Sequence, residues 1–184
     1  MGMVLQHTRG VARPGRTAVG SALAILLGSA ALAVSAKIQV PFWPVPMTMQ
    51  TLVVLLLGVG LGTRLGALAV LAYLVEGLAG LPVFAGPVGG PGALMGPTAG
   101  FLVGFVPAAA LTGWMAARGG VRTAARGFGT MMAGHAVVFV PGVAWLATLV
   151  GWEKAVMLGA VPFLAGTLVK SALATGLVLA ARRA

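Results

Sequence analysis

Long apolar runs separated by short polar or Gly- and Pro-rich connections organise the whole chain. Six such runs lie at residues 18–36, 48–62, 65–80, 98–117, 124–150 and 163–181. About 20 helical residues, at about 1.5 Å each, cross a hydrocarbon core of about 30 Å. The second and third runs are short, so we expect neighbouring segments to cover them or the runs to enter at a slant. The pattern predicts an all-α membrane protein with six transmembrane helices and irregular outer loops.

The charged side chains fall on alternate connections between these runs. All nine arginines follow this rule, and they are Arg9, Arg13, Arg16, Arg64, Arg118, Arg122, Arg126, Arg182 and Arg183. The intervening connections hold only Lys37, Glu153 and Lys154. Because Lys and Arg concentrate on the cytoplasmic side of a membrane, both termini are predicted to be cytoplasmic. Residues 1–17 then form a cytoplasmic segment, and residues 18–184 form a multi-pass domain in a bacterial inner (plasma) membrane.

Composition agrees with a membrane protein and narrows its chemistry. Hydrophobic residues make up 59% of the chain and charged residues 8%, whereas about a quarter of a soluble domain is charged. The net charge of +10 flanks apolar runs, which indicates anionic lipid headgroups rather than nucleic acid. The chain has no Cys, Asp or Asn, and its carboxylate side chains are Glu76 and Glu153. A disulfide framework, a P-loop ATPase and a metal-dependent hydrolase are therefore excluded.

The start of the chain allows a second interpretation. Residues 9–16, the apolar run and Val34-Ser35-Ala36 together are similar to a secretory signal with a cleavage site. We favour a retained span, because the run is close to full spanning length and its removal breaks the charge alternation.

Small residues form two stripes on the first run. One stripe holds Gly20, Ala24 and Gly28 at four-residue spacing, and its neighbour holds Ala18 and Ala22. Such stripes let helix backbones approach closely in lipid. The pattern is typical both of packing within one chain and of docking to another membrane subunit, and it does not decide between them.

Two uncharged connections are too rich in Pro and Gly to be continuous helices. Residues 41–46 join the first two runs, and residues 81–97 join the third and fourth. Irregular backbone at membrane depth survives only where it is buried in protein or lines a cavity. We therefore predict a cavity here with Phe42, Trp43 and Phe84 as apolar walls, although Trp43 equally suits an interface anchor.

A few polar side chains lie inside the runs. Tyr73 and Glu76 share a face of the third run, because they are three residues apart. Thr167 and Lys170 share a face of the last run for the same reason. Gln50 lies near the start of the second run. An ionisable group within a membrane marks a functional site by default. Glu76 and Lys170 form either a structural ion pair or part of a pocket for a small amphipathic carboxylate. We interpret His135, the imidazole within a run, as a hydrogen bond between packed helices.

Four segments resemble the BioY family, the biotin-binding S components of energy-coupling factor (ECF) vitamin transporters. These are 44–51 (PVPMTMQT), 73–84 (YLVEGLAGLPVF), 96–101 (GPTAGF) and 162–170 (PFLAGTLVK). The resemblance implies a six-helix subunit that captures biotin from outside, performs no covalent chemistry and carries no cofactor. It implies as partners a transmembrane coupling (T) subunit and two ATP-hydrolysing (A) subunits. It also favours docking as the role of the small-residue stripes.

The resemblance further implies a binding site around Lys170. The family motif usually reads G-D-x-x-K, but Thr167 occupies the acid position here, and Phe101 replaces the usual Tyr. We hypothesise that Glu76 supplies the lost acceptor. The predicted ligand-binding residues are Lys170, Thr167, Glu76, Tyr73, Gln50, Phe84, Phe101 and Gly90, with residues 86–96 as a lid. Which end of biotin meets Lys170 stays open.

Three other functions stay open at this point. The first is an S component for another small vitamin or acid, and the second is a solitary carrier driven by an ion gradient. The third is a small intramembrane enzyme that uses His135 and Glu76.

Overall fold

The structure, a computed structural model, describes residues 17–86 and 89–183. Within these residues the chain forms seven α-helices: α1 (Ala18–Lys37), α2 (Gln50–Leu61), α3 (Thr63–Leu78), α4 (Ala99–Ala117), α5 (Ala124–Val150), α6 (Trp152–Gly159) and α7 (Phe163–Ala181). Two short strands, β1 (Gln39–Val40) and β2 (Met47–Thr48), pair antiparallel, and Pro91–Leu94 form a 3-10 turn. The predicted cytoplasmic segment, residues 1–17, lies outside the described residues except for Thr17.

Helix length separates two groups of helices. In the described part of the chain, four helices are long and apolar enough to cross a membrane, namely α1, α4, α5 and α7. The 12 residues of α2 and the 16 of α3 rise only about 18 and 24 Å. Neither helix alone is long enough to cross a core of about 30 Å.

Local signals set the helix ends close to where the apolar runs predict them. Thr17 Oγ1 accepts from the Gly20 N–H at 3.1 Å and caps α1, and Thr123 Oγ1 does the same for Arg126 at 3.3 Å at the start of α5. Gly62, at φ 87°, ends α2 and lets α3 begin at the next residue. The six predicted runs thereby match six of the observed helices.

Two elements were not predicted. The connection that holds Glu153 and Lys154 is helix α6, which follows Gly151 at φ 86° and buries Ala155 and Gly159. The connection at residues 41–46 is the turn of the β1–β2 hairpin. Both elements depend on contacts with distant residues, so hydrophobic runs alone do not reveal them.

Small residues bring the helices close together. A Cβ on Gly58 of α2 would overlap the Thr112 side chain and the Ala109 carbonyl of α4. A Cβ on Gly28 of α1 would lie 2.9 Å from the Cβ of Ala69 on α3. Gly28 therefore serves packing within the chain, which corrects its assignment to the docking stripe. Ala18 and Ala22 are exposed, while Gly20 and Ala24 are half-buried.

The described arginines gather at one end of the bundle. They lie at the α2–α3 turn, at the α4–α5 connection and after α7. Arg182 joins two of these places, because its Nη1 donates to the Val121 carbonyl at 2.7 Å. Helices α2, α4 and α7 begin at the opposite end, where the two Pro- and Gly-rich connections lie.

Candidate ligand-binding site

A cavity of about 290 Å³ lies at the end of the bundle remote from the arginines. Its lining comes from the hairpin and α2, from the α3–α4 connection, and from α4, α5 and α7. The lining residues are Val45, Pro46, Thr48, Gln50, Thr51, Phe84, Ala85, Gly86, Ala93, Gly96, Thr98, Phe101, Leu102, Phe105, His135, Val138, Phe139, Phe163, Thr167 and Lys170. A mostly apolar wall with a few polar groups at about this volume is typical of a small-molecule site.

Lys170 is the cation of this wall. It is buried, and its Nζ donates to Thr51 Oγ1 at 2.7 Å and to the Thr48 carbonyl at 3.2 Å. An ammonium has three donors, so these two bonds leave one for a ligand. Helix α7 supplies the lysine and the start of α2 supplies its partners, which ties the cation to two sides of the cavity.

Tyr73 supports two residues of the cavity wall, Gln50 and Phe84. Gln50 Nε2 donates to the Tyr73 hydroxyl at 2.6 Å, and that hydroxyl donates to the Val83 carbonyl at 3.3 Å. The Tyr73 ring meets the Phe84 ring edge to face, at 5.4 Å between centroids. Gln50 and Phe84 line the cavity, whereas Tyr73 lies behind them and holds both in place.

Two buried polar atoms of the wall lack partners. His135 and Thr167 are 1% and 4% exposed, and both line the cavity. Among the described residues, no group hydrogen-bonds to His135 Nε2 or Thr167 Oγ1. The other imidazole nitrogen, Nδ1, lies 3.1 Å from Ser171 Oγ of α7, in agreement with the interpretation of His135 as a link between helices. Buried polar atoms are nearly always paired, so the lack of a partner for these two, on residues of the cavity wall, requires an explanation.

The structure places Glu76 away from the cavity. Its carboxylate accepts from Ser29 Oγ of α1, and Glu76 is absent from the lining. Although Glu76 and Tyr73 are three residues apart, Tyr73 points to α2 and Glu76 points to α1. This placement corrects the hypothesis that Glu76 supplies the missing acceptor. The partners of Lys170 are Thr48 and Thr51, so the alternative of a Glu76–Lys170 ion pair is corrected as well.

The predicted aromatic walls divide between the cavity and the surface. Phe84 and Phe101 line the cavity, and Phe101 meets Phe139 edge to face at 6.0 Å. Trp43 is 81% exposed and lies outside the lining, as its interpretation as an interface anchor expects. Phe42 lies partly exposed against Phe163, at 6.1 Å between ring centroids.

Gly90 shapes the α3–α4 connection and does not line the cavity. It is buried at φ 102°, where a side chain is strained, and its N–H donates to the Gly77 carbonyl at 2.7 Å. Gly86 and Gly96 of the same connection do reach the lining. The prediction of Gly90 as a ligand contact is therefore corrected to a backbone role.

Sequence reasoning missed several residues of the site. Phe105 and Phe139 line the cavity without a local signal that separates them from other residues of their helices. Thr51 and Phe163 also line it, and the signal for them was their position in two of the segments that resemble the family. Lys37 does not line the cavity but binds the α3–α4 connection. Its Nζ donates to the Phe84 carbonyl at 2.7 Å and to the Gly86 carbonyl at 3.3 Å. The sequence signal for this role was a lysine in an otherwise uncharged connection between the first two apolar runs.

Comparison with known proteins identifies the family. A family model described as the BioY family matches residues 7–184. The chain belongs to the BioY family. This finding confirms the resemblance seen in the sequence, and with the four long apolar helices it shows a multi-pass membrane protein.

Named relatives and a solved structure agree with this assignment. The chain is 39% identical to a probable biotin transporter BioY of Pyrococcus horikoshii over 158 residues, covering 86% of this chain and 92% of the relative. It is 38% identical to the biotin transporter BioY2 of Lactococcus lactis, covering 87% and 88%. A crystal structure of the S-component for biotin from an ECF-type ABC transporter superposes with a TM-score of 0.78 at 23% identity, covering 94% of this chain and 96% of that one. At that identity the likeness shows a common fold.

Proposed function

We propose that this chain is the biotin-specific S subunit of an uptake transporter and holds biotin in the cavity described above. The observation that carries the proposal is the buried Lys170 ammonium in the otherwise largely apolar wall of a cavity of about 290 Å³. Relatives at 37–40% identity that cover most of this chain are named biotin transporters. Biotin joins an apolar ring system to a ureido group and a carboxylate, and such a wall suits it.

The proposed topology has six spans with both termini in the cytoplasm. Four helices have spanning length, and α2 and α3 complete their passages through the hairpin and the α3–α4 connection. The described arginines lie at the end opposite the cavity, and the positive-inside rule therefore supports an orientation with the cavity toward the exterior. Residues 18–184 then form one six-span domain that receives biotin from outside.

The proposed partners are a transmembrane coupling subunit and two ATP-hydrolysing subunits. The sequence holds no ATPase motif, so transport driven by ATP requires another chain. Ala18 and Ala22 leave a small-residue face of α1 exposed, which supports this face as the docking surface. Biotin is the cargo, and we propose neither a cofactor nor covalent chemistry on this chain.

Equilibrium binding of labelled biotin to the detergent-purified chain tests the proposal. We expect tight, stoichiometric binding, weakened at least tenfold, about 1.4 kcal/mol, by Lys170→Met. This substitution keeps the aliphatic stem of the lysine and removes its charge-assisted hydrogen bond. Lys154→Met on exposed α6 changes the net charge equally and is expected to bind as the wild type does.

Two further measurements separate the alternatives. A panel of other water-soluble vitamins, used as competitors, distinguishes biotin from a related cargo. Biotin uptake in cells with and without coupling subunits distinguishes an S subunit from a solitary carrier. Failure of the wild-type chain to bind biotin, or full affinity in the Lys170→Met variant, contradicts the proposal.

A further inference from the structure

The surroundings of His135 decide which of its ring nitrogens carries the hydrogen. Nδ1 lies 3.1 Å from the Met131 carbonyl oxygen, which only accepts. Nδ1 also lies 3.1 Å from Ser171 Oγ, which can accept a hydrogen bond as well. Because the Met131 carbonyl can only accept, its contact assigns the hydrogen to Nδ1. A neutral imidazole with its hydrogen on Nδ1 has a lone pair on Nε2.

The residue that carries this lone pair belongs to the wall of the cavity. His135 is 1% exposed and lines the cavity, and Nε2 has no hydrogen-bond partner among the residues that the structure describes. A buried acceptor without a partner, on a residue in the wall of a ligand site, favours a ligand that brings a donor to it.

Two polar groups on α7 in the same wall bear on which donor this is. Lys170 offers a donor, and the unpartnered Thr167 hydroxyl offers either a donor or an acceptor. A carboxylate needs donors only, and a lone pair next to it is repulsive. A urea presents two N–H donors beside one carbonyl acceptor, so it requires an acceptor and a donor side by side. The α5–α7 wall provides both.

We propose that His135 Nε2 accepts a hydrogen bond from a ureido N–H of the ligand and thereby helps to select a cyclic urea. The proposal rests on the function proposed above. It assigns the acceptor for the ureido N–H to His135 of α5. The ureido end of biotin then lies between His135 and Lys170.

Binding to two ligands by two variants tests this role. We expect His135→Leu to weaken biotin binding at least tenfold, and His135→Gln, whose amide oxygen reaches the Nε2 position, to stay within about threefold of the wild type. Biotin methylated at both ureido nitrogens is expected to bind the wild type at least tenfold more weakly than biotin. The ratio of the Kd of the methylated ligand to the Kd of biotin must fall in the Leu variant, because this variant has no acceptor that distinguishes the two ligands.

A spectroscopic measurement does not depend on how well the Leu variant folds. The chain has two histidines, so His7→Ala leaves His135 as a single ¹⁵N-histidine label. We expect an unprotonated Nε2 resonance in the free protein that shifts when biotin is added. An unmoved resonance, or a Leu variant with wild-type affinity and an unchanged ligand ratio, overturns the proposal. If the wild type binds no biotin at all, the proposed function has failed instead.

Discussion

Glu76 and Lys170 are both ionisable residues within apolar helices, yet their neighbours differ. Lys170 reaches across to Thr48 and Thr51 on the wall of the cavity. Glu76 accepts from Ser29 and joins α3 to α1. The first contact aims a charge at the cavity, and the second is a link between helices. Only the first is therefore expected to affect ligand binding.

We expect Glu76→Gln to leave the biotin Kd within about threefold of the wild type, because the amide oxygen still accepts from Ser29. Glu76→Leu leaves the fully buried Ser29 hydroxyl without its acceptor, at a cost of about 1–3 kcal/mol. Thermal unfolding in detergent measures the change in stability. Equilibrium binding of biotin to the folded variants measures the change in Kd. Glu153→Gln on exposed α6 is the matched control. A tenfold loss of affinity in Glu76→Gln would return Glu76 to the site.

For single residues, the sequence indicates which polar side chains are candidates for the site, but not where those side chains point. Lys170, Thr167 and Gln50 were selected for their polarity inside apolar runs, and all three line the cavity. Tyr73 was selected by the same argument and stands one layer behind. The unpartnered nitrogen of His135 depends on Met131, Ser171 and the position of α7, so no local pattern reveals it.

The helices show what hydrophobic runs predict and where the prediction ends. A run of apolar residues closed by Gly62 or Gly151 predicts a helix and its end, because lipid requires internal backbone hydrogen bonds. Helix α6 and the β1–β2 hairpin are short, and each depends on packing or pairing with another segment. Their sequences therefore read as loops.

Glycines of α2 give a test of helix packing with a control in the same helix. We expect Gly58→Ala to destabilise the chain by about 1–3 kcal/mol, because its methyl group overlaps the Ala109 carbonyl and Thr112 of α4. Gly60 has open space around it, so Gly60→Ala is expected to be neutral or slightly stabilising through helix propensity. Midpoints of thermal unfolding in detergent compare the two. Equal midpoints would contradict the close α2–α4 approach.

The whole molecule has one end that is rich in arginine and another that holds a ligand-sized cavity. The charge pattern predicted this polarity, since arginine positions are visible in the sequence and their side of the membrane follows a general rule. The size of the cavity was beyond prediction, and so was its wall, which comes from the hairpin, the α3–α4 connection and four helices. Both arise from packing between distant segments.

The absence of cysteine from the chain allows this polarity to be tested without background. Lys154→Cys and Arg122→Cys each place a thiol at an exposed position, on α6 and in the α4–α5 connection. We expect a membrane-impermeant maleimide to label Lys154→Cys in intact cells, and to label Arg122→Cys only after permeabilisation. Labelling in the reverse order would place the cavity on the cytoplasmic side. That result would contradict the capture of biotin from outside, even if the purified chain still binds biotin.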